Sequence, residues 1–257
     1  MKIDRSNPES IFSALKIDVI QLNYSITKGL IQVEVNVNSV RSPPGIWEGQ
    51  LLHLLSLIVF LPIVGMIWNL MDKPFPMVFW ICIVIPISHQ VFVWLSWRLE
   101  LLSSSISKTI GFEFYLVVFF ALFGGRFVSI LWLAHLDEGS LNLPIYPQVF
   151  FTSIAVIPGL YALYSVKRYF GMARAAGADH FEEKYRSMPL VKEGIFRFTK
   201  NAMYVFAFLI FWAIAIAYNS AAALLAVAFS HVYIWVLYYS TEKPDIEFIY
   251  RANHQNS

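Results

Sequence analysis

The chain of 257 residues is 58% hydrophobic and 17% aromatic, with 14% charged residues and a formal net charge of +2. Soluble domains are roughly 45 to 50% apolar and about 25% charged, so too little polar material is present to cover a water-facing surface, and the bilayer is the expected solvent. The near-neutral charge argues against a nucleic-acid partner, and the single cysteine, Cys82, excludes an intrachain disulfide scaffold.

Residues 1–48 contain no apolar core of signal-peptide character near the start. They are expected to form a small cytoplasmic cap that packs on the membrane domain or regulates it. A short helix is predicted over 8–16, begun by Ser6 or Asn7. A β-hairpin follows, in which Leu22, Tyr24 and Ile26, then Ile31, Val33, Val35 and Val37, alternate with polar residues around Thr27-Lys28-Gly29.

Residues 49–257 are expected to form the membrane domain. A hydrocarbon core about 30 Å thick needs about 20 helical residues, and six apolar runs approach that length: 51–71, 75–97, 110–136, 149–166, 203–218 and 221–240. The first ends at Asp72-Lys73-Pro74. The fourth carries Pro158-Gly159, which predicts a kink or a locally unwound turn. The last two are separated only by Asn219-Ser220 and are expected to form an antiparallel hairpin. Every lysine and arginine except Lys73 and Arg126 falls before the first run, in the second or fourth connection, or in the tail. That asymmetry places both termini and the long 167–202 connection in the cytoplasm. The fold class read from the sequence is therefore all-α integral membrane, with about six transmembrane helices and a long ordered cytoplasmic loop before the last helical hairpin.

Ionisable residues inside membrane segments are functional candidates by default. Arg126 follows Gly124-Gly125, and Glu113 lies about 19 Å away along the same helix, too far to pair. Arg126 either holds an anion such as a lipid phosphate or snorkels to the interface. His89, His231 and His53 are buried hydrogen bonders or ligand contacts. Asp179-His180 with Glu182 and Glu183 reads as a solvated charged loop rather than a metal site, so no metal is expected. No Walker A, GxGxxG or GxSxG pattern occurs.

The 167–202 connection keeps Tyr169, Phe170, Phe181, Tyr185, Ile195 and Phe196, which argues for order. It runs into the fifth span through Val191-Lys192-Glu193-Gly194-Ile195-Phe196-Arg197-Phe198-Thr199-Lys200-Asn201-Ala202-Met203-Tyr204. This string resembles the signature G-x-Y-x-x-x-R-H-P-x-Y-x-G of the membrane-embedded methyltransferases typified by isoprenylcysteine carboxyl methyltransferase and phosphatidylethanolamine N-methyltransferase. Gly194 and Tyr204 stand as in the pattern, with Met203 at its free position. Phe196 replaces the first tyrosine, Lys200 the arginine, Asn201-Ala202 the His-Pro pair and Phe206 the last glycine. Tyr169-Phe170-Gly171 is similar to the family's Leu-Gly step. Thr241-Glu242-Lys243-Pro244 keeps one acid and the proline of its acidic tail. The resemblance covers about 159–251.

What the resemblance implies is S-adenosylmethionine-dependent methyl transfer to a membrane-embedded lipidic acceptor, most simply the amine of phosphatidylethanolamine. Lys200 would suit the cofactor carboxylate, Glu242 its ammonium or ribose, and Tyr204 or Tyr239 its adenine or sulfonium. Gly171, Gly194, Arg197 and Asn201 would complete the cofactor pocket. Glu242 or His231 would take the amine proton, and Arg126 and His89 would contact the acceptor. Isoprenylcysteine carboxyl or small-thiol methylation, an NADPH-dependent sterol-reductase-like activity, and a non-catalytic lipid-binding relative are the alternatives. The partners expected are the lipid bilayer and the lipidic acceptor; the sequence specifies no oligomeric state. The predicted topology by itself brings Gly194, Lys200, Asn201, Tyr204 and Glu242 to one cytoplasmic interface.

Overall fold

The structure is a computed structural model in which residues 22–27, 30–35 and 42–254 are described. The chain divides into two units, Met1–Ser42 and Pro43–Ser257. In the first, strands β1 (Leu22–Thr27) and β2 (Leu30–Val35) pair antiparallel. Their register sets Leu22 opposite Val35, Tyr24 opposite Val33 and Ile26 opposite Ile31. The helix expected over 8–16 lies outside the described residues, as do Lys28 and Gly29 of the turn.

The second unit is helical: α1 (Gln50–Leu70), α2 (Pro76–Ser103), α3 (Phe112–Leu136), α4 (Ile145–Ser165), α5 (Leu209–Ala217), α6 (Ala221–Leu237) and α7 (Lys243–His254), with short turns between them. Five helical stretches are long and apolar enough to cross a membrane: Gln50–Leu70, Pro76–Ser103, Phe112–Leu136, Ile145–Phe170 and Ala221–Tyr250. The remaining expected span is a shorter apolar helix, Met203–Ala217. The protein is thus a helical integral membrane protein.

Local chemistry sets the boundaries. Asp72, Lys73 and Phe75 all adopt positive φ in the turn before α2, whose first residue is Pro76, the helix position where a missing N–H costs nothing. At the same end, α6 is capped by the Ser220 hydroxyl, which accepts from Ala223 N at 3.0 Å. Asp137, at the end of α3, accepts from Ala222 N at 2.9 Å and from the Ser220 hydroxyl at 2.7 Å. The α5–α6 connection is therefore bound to α3. Helix α4 continues through Pro158. Gly159 serves close packing: a Cβ there would come within 2.8 Å of the Ile210 side chain and 3.1 Å of its backbone nitrogen.

Helix α6 is central. Ala222, Ala223, Ala226, Val227 and Tyr233 are fully buried, and small side chains let neighbouring backbones approach. Only 17% of the apolar window of α1 is buried, against 56% of that in Ala221–Tyr250, so α1 is peripheral. It is held by polar contacts: Gln50 Nε2 donates to Thr241 Oγ1 at 3.0 Å, and His53 bonds the Tyr233 hydroxyl.

Three π-helical turns interrupt the regular helices: Val166–Phe170 after α4, Met203–Ala207 before α5 and Tyr238–Glu242 after α6. Such turns insert one extra residue and favour functional sites. Val166, Met203, Tyr204 and Leu237, at or beside these turns, line one cavity.

Candidate functional site

The 3₁₀ turn Gly194–Arg197 is seated on the end of α4, where Ile195 N donates to Ser165 Oγ at 3.1 Å. Gly194 has φ of 59°, and a Cβ there would lie 2.6 Å from the Ser165 hydroxyl. Both conformation and space require glycine. The carbonyl of Asn201 accepts from the backbone nitrogens of Tyr204 and Val205, each at 3.0 Å, which starts the second π-turn. From that turn the Tyr204 hydroxyl donates to Glu242 Oε2 at the end of the third. Trp235 and Tyr238 meet the Tyr204 ring edge-on at 5.7 and 5.9 Å between centroids. A carboxylate thus stands against an aromatic wall where the connection ahead of α5 meets the end of α6.

Below this point lies a cavity of about 130 Å³ between α2, α3, α5 and α6. Its wall is mostly apolar, with Trp97, Phe119, Phe123, Phe208 and Leu237, but it also receives His89, Gln90, Arg126 and Tyr204. Arg126 is 3% exposed. Of its two expected orientations, snorkelling is therefore replaced by the inward one, with Nη2 donating to the Pro86 carbonyl at 3.2 Å.

Above it, the 171–202 connection is anchored by a buried ionic network. Arg98 Nε pairs with Asp245 Oδ1 at 2.9 Å, with both side chains fully buried. His180 bridges Asp245 Oδ2 at 3.4 Å and Asp179 Oδ1 at 3.2 Å. Tyr250 donates to Asp179 Oδ2 at 3.0 Å, and Arg174 donates to Tyr250 at 3.3 Å. The His180 ring stacks on Trp97 with centroids 4.2 Å apart, and Gly177 lies against the same indole. Burial alone would lower the His180 pKa, but the carboxylates of Asp179 and Asp245 outweigh it and hold it at about 9. Burial likewise pushes the Asp179 carboxyl up, and the bonds from His180 and Tyr250 more than reverse this, leaving it below its ordinary range.

The expected site residues divide accordingly. Tyr204 and Glu242 meet at the junction, the Asn201 carbonyl starts the turn that carries Tyr204, and Gly194 lies against Ser165 and Tyr169 at the end of α4; Lys200 and Arg197 are exposed on the same segment, with Arg197 over the Phe198 ring. Gly171, with φ of 91°, ends the first π-turn, and a Cβ there would face open space. Tyr239 is 53% exposed and has Lys243 over its ring; its neighbour Tyr238 faces Tyr204 instead. His231 accepts from Trp212 Nε1 at 2.9 Å on Nδ1, and its Nε2 donates to the Tyr204 carbonyl at 2.8 Å. With both nitrogens engaged it holds the second π-turn. Arg126 and His89 share the cavity. Two expectations change. Asp179 and His180 are not a solvated loop: they are 8% and 2% exposed, because Arg98 and Asp245 lie beneath them. Gln90 and Asp245 join the site region without having been singled out. Gln90 is a neutral residue inside an apolar run, and Asp245 sits in a polar tail. Among the described residues no cluster of three or more His, Cys, Asp or Glu could hold a metal ion.

Residues 147–253 match the family model of phospholipid methyltransferases. Over this part the chain is similar to phospholipid methyltransferases, consistent with the membrane methyltransferase superfamily. The match takes in all three π-turns, the connection, Tyr204, Glu242 and Asp245, and leaves α1 to α3 outside. No curated protein and no solved structure matches the chain.

Proposed function

We propose that the protein transfers a methyl group from S-adenosylmethionine to the amine of phosphatidylethanolamine or a related membrane lipid, with the cofactor entering from the cytoplasm. The observation that supports this reading is the hydrogen bond between Tyr204 and Glu242, which joins the middle of the family-matched region to its C-terminal part and sets an acidic group among aromatic rings.

The residues there suit the cofactor. The Glu242 carboxylate would hold its ammonium or ribose hydroxyls, the exposed cations Lys200 and Arg197 would meet its carboxylate, and the rings of Tyr204, Trp235 and Tyr238 would face its sulfonium. Gly171 and Gly194 permit close backbone approach. Bound S-adenosylmethionine would supply an electrophilic methyl group. The chain's own part is to position the acceptor and keep water out: the apolar cavity wall next to Tyr204 preserves the nucleophilicity of an amine. An ethanolamine ammonium must first lose a proton, and Glu242, bonded to the Tyr204 hydroxyl, takes it directly or through water. His231 supports the reaction by fixing the Tyr204 carbonyl.

The test is incubation of membranes containing the protein with methyl-labelled S-adenosylmethionine. Label in the amine of phosphatidylethanolamine, absent with Glu242→Ala, is the expected result. Label on a protein carboxyl group or a small thiol would replace the acceptor, and the absence of any labelled product would refute the reading.

A further inference from the structure

Three polar side chains in the cavity make little or no use of the protein around them. His89 is 5% and Gln90 1% exposed, yet neither ring nitrogen of the one nor either amide atom of the other has a hydrogen-bond partner. Arg126 engages Nη2 with Pro86, while its Nε is unpartnered and buried. Among the described residues no carboxylate forms an ion pair with Arg126. Buried polar groups are normally hydrogen-bonded and buried charges paired, so three exceptions converging on one cavity point to a ligand group rather than to packing. The helices that supply them, α2 and α3, lie outside the family-matched residues 147–253.

The chemistry of the set defines that group. Arginine offers a planar fork of N–H donors, glutamine adds an amide donor, and the histidine ring adds an N–H. A cation without a counterion calls for an anion, and a fork calls for two oxygens on one centre. The surrounding wall of Phe119, Phe123 and Leu237 suits acyl chains rather than a hydrated ion. Tyr204 lines the same cavity while its hydroxyl is bound to Glu242, so the cavity runs from the proposed reacting end to these donors.

We infer that Arg126, Gln90 and His89 form an oxyanion subsite that holds the phosphate group of a lipid acceptor. The inference deepens the proposed function and rests on it for the identity of the acceptor. Phosphate recognition here fixes how far the lipid enters and so which headgroup atom reaches Glu242.

Binding to the purified full-length protein in detergent tests it, with short-chain phosphatidylethanolamine, the diacylglycerol of the same chains and inorganic phosphate as probes. S-adenosylmethionine affinity is measured separately on every variant. The phospholipid is expected to bind about tenfold or more tightly than the diacylglycerol. Arg126→Gln should remove that difference, Gln90→Leu should reduce it, and cofactor affinity should stay unchanged in both. If Arg126→Gln does not fold, the Gln90→Leu and His89→Phe variants carry the test. Equal affinity for the two lipids, or a difference that survives the substitutions, would overturn the subsite. Inorganic phosphate displacing the lipid at equal concentration would overturn a lipid source for the anion. Loss of cofactor binding in the wild type, with Arg126-dependent lipid binding retained, would refute the methyltransferase reading and leave the subsite standing.

Discussion

At the scale of single residues, the site rests on a few side chains and one glycine whose environments leave little freedom. Gly194 combines a left-handed backbone with direct contact to Ser165. Gly194→Ala should therefore cost about 1–2 kcal/mol and displace the 3₁₀ turn, seen as a lower thermal midpoint together with weaker cofactor binding. A midpoint equal to wild type would mean that the turn adjusts freely. Much of this residue chemistry was legible in the sequence, because Arg126 and His89 stand out as polar groups in apolar runs and Gly194, Tyr204 and Glu242 sit in recognisable strings. Gln90 was not legible, since an uncharged side chain hardly alters a hydropathy reading. Nor was the division of labour between Tyr238 and Tyr239: adjacent helical residues point in different directions, and the π-turn that begins at Tyr238 sets which of them faces Tyr204.

At the scale of elements, the ionic network decides how the connection over the site is held. Asp245, one residue after Pro244 in α7, ties Arg98 of α2 to His180 of the connection. Asp245→Asn leaves the Arg98 guanidinium buried without its counterion, and should cost about 3–5 kcal/mol, measured by denaturation of the detergent-solubilised protein. The network also has a pH signature. His180 is raised from 6.5 to about 9 in the fold, so its stabilising contribution is complete below pH 6.5 and is lost as pH rises through about 9. The thermal midpoint should fall across that interval, and the fall should be missing in His180→Gln; an identical pH profile in the two proteins would contradict the assignment. Helices were legible because a membrane core demands long apolar runs. The π-turns were not, because they carry no compositional mark, and Pro158-Gly159 pointed to unwinding several residues before it occurs at Val166–Phe170. The network was hidden for a different reason: its members are far apart in sequence, and acids with a histidine in a polar stretch look solvated until the tail folds under them.

At the scale of the whole molecule, the family-matched part supplies the proposed cofactor end, and α2 and α3 supply most of the polar groups of the cavity. This arrangement requires the short helix Met203–Ala217 to cross, so that the 171–202 connection and the residues after α6 share one side. Single cysteines at Ser187 and Lys243, in a chain whose Cys82 is replaced by alanine, should react with an impermeant thiol reagent from the same side of sealed vesicles. A cysteine at Asn142 should react from the other. Labelling of 187 and 243 from opposite sides would dismantle the proposed pocket. The central claim is that Glu242 and Tyr204 close one cofactor site. Its most direct measurement is calorimetric titration of the purified protein with S-adenosylmethionine, beside Glu242→Gln and with NADPH as control. The account predicts saturable S-adenosylmethionine binding weakened about tenfold or more by the substitution, and no NADPH binding; equal affinity in both proteins, or binding of NADPH alone, would contradict it.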